Sequence, residues 1–247
     1  MNWFQSLFRK NSTFLSSDNE KSLSKEELVP HTRLFNSRID MNELWWSGTQ
    51  QQWRDALTYY WTLVKTDHIP IEKYFEEISM SDIEKMSTQE FYDFLYNKYF
   101  FWKYTAANRL ATTRKHLSRY PSENRMDELA RIQQELVSFD VNDTEKGLKI
   151  AQQIHGLGTA GASGLLAVLL PQNFGTVDQF VVKALASINR LPEHQQILQM
   201  KPDSLTPKDG LVLIKIMKAK AIKLNSQFCT NEWSPRALDK ILWSKDR

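Results

Sequence analysis

A single cysteine, Cys229, in a chain of 247 residues excludes any internal disulfide framework and any cluster that needs four thiolates. A reducing, cytoplasmic setting is the matching expectation. No apolar run approaches the roughly 20 residues of a membrane span. The start, MNWFQSLFRK, has too short an apolar stretch for a signal peptide, so no membrane partner is expected. The five histidines are scattered without zinc-like spacing, which argues against a metal enzyme. Phosphate-loop and nucleophile-elbow motifs are missing, and no stretch alternates as a strand would. Net charge is only +3, too little to argue for a nucleic-acid partner by itself.

What is present suits an ordered, all-α protein. Hydrophobic residues make up 41% and aromatics 12% of the chain, enough for one good core or two lobes sharing a cleft. Charge is sorted along the sequence. Lys98, Lys103, Arg109, Arg114, Lys115 and Arg119 have no acid between them, and Lys215, Lys218, Lys220 and Lys223 are likewise unopposed. Acids gather instead in 72–93 and 127–145. This sorting would let one basic face meet a phosphate backbone, although solvated helix faces explain each run equally well.

Residues 1–40 read as a Ser/Asn/Lys-rich arm with a short amphipathic turn at Trp3–Phe8. Ser47 reads as the N-cap of a helix to about Lys65, with Trp53, Leu57, Tyr60, Trp61 and Val64 at helical spacing. Trp45 and Trp46, just before it, are candidates for lining a cleft. Pro70–Ile78 reads as a short acidic helix. Ser87 and Glu90 form a capping box that opens a long or broken helix to about Arg119. Within it, Asn97–Lys103 is too aromatic all round for a surface helix, so it is either central or faces a pocket where a base stacks. Packing is the commoner explanation, but Trp102, Asn108 and Arg109 are flagged as base-pocket candidates. Helices follow at Met126–Phe139, Asn142–His155, Thr159–Leu170 and Asp178–Asn189, then a loop-rich 191–205. Thr206-Pro207 and Ser234-Pro235 each open a further helix, because proline at the first helical position loses no hydrogen bond.

The stretch Ile154–Lys183 carries the recognisable chemistry. Gly156-Leu157-Gly158 reads as a tight turn whose glycines permit a sharp bend and a close backbone approach. The helix after it points free N–H groups and its positive dipole end back at the turn, a ready phosphate site. Asp178 stands at the N-cap of the next helix, where a carboxylate is locally stabilised.

These residues resemble the helix-hairpin-helix DNA glycosylase superfamily, which is defined by a Gly/Pro-rich loop and an aspartate. The matching pieces are Gly156-Leu157-Gly158, Ala162 in the following helix, and Val177-Asp178, with Lys183 where the family usually places a basic residue. Bifunctional members carry a Schiff-base lysine two residues past the second hairpin glycine; that position is Ala160 here, and Asp178 follows it by 18 residues, as the family pattern expects. The resemblance therefore implies a monofunctional DNA glycosylase acting on double-stranded DNA, expected to be a monomer. It implies two helical lobes flanking a cleft, one from 41–66 plus 178–247 and the other from 67–177.

In that reading Asp178 stabilises the positive charge that builds on the sugar and orients the attacking water. Gly156, Gly158, Thr159, Ala160, Gly161 and Lys183 would hold the DNA backbone while a base is flipped out, with Lys183 equally readable as a solvated helix residue. No cofactor is required, though the resemblance implies a monovalent cation on the hairpin carbonyls. Related enzymes remove oxidised, alkylated, deaminated or mismatched bases, and some attack modified bases in phage DNA; the sequence singles out none of these. The alternatives are a non-catalytic DNA clamp built on the same turn, in which Asp178 is only an N-cap, and a helical scaffold with no DNA function.

Overall fold

In a computed structural model the chain is described over residues 40–245, and every regular element there is helical. The proposed arm lies outside the described residues, except for Asp40. No helix among the described residues is long and apolar enough to cross a membrane.

Short polar side chains start most of the helices. Asp40 accepts from the Glu43 N–H at 3.0 Å and opens α1 (Met41–Ser47). Thr49 and Gln52 then form a reciprocal capping box at the start of α2 (Gln50–Leu63). The second start therefore falls two residues beyond Ser47, the expected cap, and Trp45 and Trp46 belong to a helix of their own. A short 3₁₀ turn, Thr66–His68, leads to α3 (Ile69–Glu77), and a Ser79–Asp82 box opens α4 (Met80–Lys85).

The Ser87–Glu90 box forms and opens α5 (Thr88–Asp93). From there the chain runs through a π-helical segment, Phe94–Tyr99, into α6 (Phe100–Lys103). The wider π turn changes the register of the side chains around the axis. Phe94, Leu95, Tyr99 and Phe100 reach the core, and the partly buried Trp102 packs against it beside Phe75 and Tyr99. After a break come α7 (Ala107–Leu117) and one further turn, α8 (Arg119–Ser122), which tolerates Pro121 because it lies within the first turn.

α9 (Met126–Ser138) and α10 (Thr144–Ala151) lead to the glycine turn and α11 (Thr159–Leu169). α11 is small and apolar on every side, and it is buried on every side, as such a helix must be. Glycines on α11 let the aromatic segment come close. A Cβ on Gly161 would lie 2.5 Å from the Tyr104 hydroxyl, and one on Gly164 would lie 2.8 Å from that of Tyr99. The chain closes with α12 (Gln179–Ala186), α13 (His194–Gln199) in the region expected to be loop, α14 (Pro207–Phe228) and α15 (Pro235–Ser244). One continuous apolar core runs through these helices.

Candidate functional site: two cavities that share Asp178

Two hydrogen bonds place the segment before Asp178. The Val177 N–H donates to Ser163 Oγ of α11 at 3.0 Å, and the Thr176 N–H donates to Asp239 Oδ2 of α15 at 2.6 Å. Asp178 then caps α12, its Oδ1 accepting from the Phe180 and Val181 N–H groups at 2.9 and 3.2 Å. Its Oδ2 takes no hydrogen bond from the described residues. The side chain is half-buried and lines two cavities, of about 330 and 540 Å³.

The larger cavity belongs to the glycine turn. Gly156 has φ +95°, a conformation that L side chains resist, and a Cβ there would meet Thr113 at 2.9 Å. Gly158 has an ordinary φ of −86°, and among the described residues nothing beyond its own neighbours in the chain lies within 4 Å of where its Cβ would be. Its extended backbone caps α11, leaving the first amides of that helix without intrahelical partners. Tyrosines brace the turn: Tyr120 donates to the Gln153 carbonyl at 3.3 Å and accepts from the His155 N–H at 3.2 Å. The Tyr104 hydroxyl reaches the Gly156 carbonyl at 3.4 Å, and burial pushes its pKa up to about 12, against the opposing charge of Arg109. Thr159, Ala160, Gly161, Asn108 and Arg109 line this cavity too. Asn108 Oδ1 accepts from the Arg109 N–H at 2.8 Å, so that amide is partly spent on its own helix start. Lys183 is exposed on α12 and lines neither cavity.

The smaller cavity is built from charge. Trp102 Nε1 donates to Glu72 Oε1 at 2.7 Å, and Arg236 Nη1 donates to Asp239 Oδ1 at 2.8 Å. Arg236 Nη2 lies 3.7 Å from Glu72 Oε2, close enough for attraction but too far for a hydrogen bond. Burial works against the Arg236 charge, but Asp239, Tyr60 and Glu72 outweigh it, so its pKa is held above the ordinary value. Burial raises the Asp239 pKa, with Arg236 the chief opposing influence. It also raises that of Tyr60 well above the ordinary value.

Lys103 also lines this cavity, its stem fitted against Gly164, where a Cβ would meet Cδ and Cε at 3.3 Å. The side chain keeps partial exposure towards the cavity yet is crowded by protein on all sides. Burial lowers its pKa and Arg236 adds to this, while Asp178 and Asp239 pull it back up.

The structure thus divides the residues flagged as pocket candidates. Trp102 lies in the charged cavity, whereas Asn108 and Arg109 lie on the turn side, and Asp178 joins the two. Trp45 and Trp46 line neither. Trp45, 4% exposed, packs on Trp53, and between their rings Lys220 Nζ donates to the Trp45 carbonyl at 2.5 Å. Burial, then repulsion from Lys223, brings the Lys220 pKa down to about 8. Trp46, 43% exposed, donates from Nε1 to the Asn189 carbonyl at 2.8 Å.

Several basic residues of the first run are engaged locally. Lys98 covers the Tyr74 ring, Arg114 covers that of Tyr96, and Arg119 pairs with Glu123. Glu72, Lys103, Arg236 and Asp239 were not singled out by sequence reasoning. Arg236, Asp239 and Lys240 fall at positions i, i+3 and i+4 of α15, a stripe that reads as a solvated face. All three are buried, with Lys240 donating to Glu76 at 2.6 Å.

The chain matches no family model, no curated protein and no solved structure.

Proposed function

We propose that the protein is a DNA glycosylase that hydrolyses the bond between a flipped-out base and its sugar, with Asp178 as the catalytic carboxylate. The observation that carries this reading is the position of Asp178 between two unlike cavities. One presents the open backbone of Gly158 and the first amides of α11, suited to a phosphate. The other is walled by aromatics and buried charge, suited to a heterocycle held out of water. With Oδ1 occupied by the helix amides, Oδ2 is left to face the sugar. A fixed carboxylate in a partly dry site stabilises developing positive charge better than water does.

Asp178→Asn keeps the cap and removes the charge. It should abolish base release from duplexes carrying damaged or modified bases, including phage DNA with modified cytosines, and leave DNA binding intact. Unchanged base release would overturn the assignment. DNA binding with no base release from any substrate by the native protein would favour the non-catalytic clamp.

Ala160 stands at the Schiff-base position, which favours simple hydrolysis and an intact strand. Lys103 favours a second reading. It is a lysine in the Asp178 cavity whose pKa is lowered by burial and Arg236, and its amine, once deprotonated, would add to C1′ as the base leaves. Borohydride trapping decides: no adduct supports hydrolysis, and an adduct lost in Lys103→Met supports the lysine route. The monovalent cation implied by the resemblance would have to compete with hydrogen bonds already made to the Gln153, Ile154 and Gly156 carbonyls, and no step here depends on it.

A further inference from the structure

The chain reaches Asp178 through a short buried segment whose amides are taken by distant side chains. Phe174, Thr176 and Val177 are buried, and a Cβ on Gly175 would lie 2.7 Å from both Met217 Cε and the Pro235 carbonyl oxygen. The Thr176 N–H donates to Asp239 Oδ2 at 2.6 Å, and the next amide, that of Val177, donates to Ser163 Oγ at 3.0 Å. Buried amides need acceptors, and these two come from α15 and α11, 63 and 14 residues away. Both acceptors are themselves held. The Ser163 hydroxyl donates to the Ala160 carbonyl at 3.2 Å, and Asp239 Oδ1 accepts from Arg236 at 2.8 Å. Arg236 lies 3.7 Å from Glu72, whose carboxylate accepts from Trp102 Nε1 at 2.7 Å and from the Tyr60 hydroxyl. Linked side chains thus run from the aromatic wall of the smaller cavity to the amide two residues before Asp178.

We infer that Asp239 and Ser163 are positioning residues for the Asp178 carboxylate, fixing the backbone that carries it so that Oδ2 meets the sugar at one distance. The cap itself does not achieve this. Oδ1 accepts from the Phe180 and Val181 amides, which fixes the carboxylate to α12, but a helix end can shift as a unit with its cap. The bonds to α11 and α15 tie that end to the helices that line the two cavities. A misplacement of about 1 Å costs up to about 100-fold in rate. It costs far less in DNA affinity, which is spread over many phosphates.

The inference rests on the glycosylase reading, and its test needs no knowledge of the base removed. Two duplexes of one sequence are compared, followed by fluorescence anisotropy on the native full-length protein and its variants. In one duplex a pyrrolidine replaces a deoxyribose, with its protonated nitrogen at the C1′ position; in the other an uncharged tetrahydrofuran takes that place. The ratio of the two affinities reads how well a carboxylate meets positive charge at C1′. An unfolded fraction lowers both affinities equally and cancels in the ratio.

The native protein should prefer the pyrrolidine duplex by about 100-fold or more, as a transition-state mimic requires, and Asp178→Asn should lose that preference. Asp239→Asn leaves one of its two N–H donors facing an amide –NH2, and Ser163→Ala removes a single hydroxyl. Each should cut the preference about tenfold while leaving tetrahydrofuran-duplex binding within about twofold. Ser163→Ala carries the test if Asp239→Asn does not fold. Gln133→Leu removes a buried amide that binds the Ile83 and Met86 carbonyls, far along the chain from this segment, and should keep the native ratio.

A native ratio in both Asp239→Asn and Ser163→Ala overturns the inference and leaves the glycosylase reading standing. An equal loss in Gln133→Leu overturns it too, since general loosening would then suffice. No pyrrolidine preference in the native protein, or one that survives Asp178→Asn, removes the enzyme reading and this inference with it.

Discussion

On the turn side of Asp178 the wall is built around the glycine turn and the start of α11, whereas on the other side it holds side-chain charge buried in the protein. The turn side depends on two glycines, one needed for its φ and one for open space. The charged side depends on residues from α3, α6 and α15, which lie far apart in sequence and come together only in the folded chain. Backbone sites are written locally and tolerate substitution wherever the backbone does. Buried charge sites are held by mutual compensation, so removing one member leaves the others without a counter-charge.

The contrast can be broken or sharpened by substitution, from the largest effect down. Asp178→Asn should lower base release by about 100-fold or more, read from single-turnover kinetics. Arg236→Ala should cost about 3–5 kcal/mol in urea unfolding, because Asp239 and Glu72 are left buried without their cation. Gly156→Ala should cost about 1–3 kcal/mol for forcing a Cβ into positive φ beside Thr113.

Lys103→Met should raise stability at neutral pH by a smaller amount. Because burial depresses the Lys103 pKa, the unfolded chain holds more protons than the folded one between that lowered value and the ordinary 10.5. Native stability should therefore gain from this group as pH rises through that window, and the variant should lose that part of the slope in thermal melts. Gly158→Ala should change stability by about 1 kcal/mol or less, since its Cβ meets nothing among the described residues, yet it should weaken DNA binding at low salt. Unchanged binding would place the phosphate contact elsewhere.

Capping chemistry was the most legible part of the chain. The Ser87–Glu90 box, the Thr206-Pro207 and Ser234-Pro235 starts and the Asp178 cap all form, because each needs only a few adjacent residues. Thr49–Gln52 was equally readable as a box, and missing it moved Trp45 and Trp46 out of a helix and towards a cleft. The aromatic run around Trp102 was ambiguous for a physical reason. A π turn alters which residues share a face, and periodicity assumes a constant 3.6-residue turn. Arg236, Asp239 and Lys240 were illegible, since the same stripe fits solvent and a buried charged cavity equally well.

Sequence alone determined the helical character, the helix starts, the bend at Gly156 and the carboxylate at the α12 cap, because these depend on neighbours within about four residues. Tertiary structure alone decided that Lys103, Glu72, Arg236 and Asp239 would surround one cavity next to that carboxylate. Charge in a helix is silent about its partner: whether it meets water or an opposite charge depends on which distant helix packs against it.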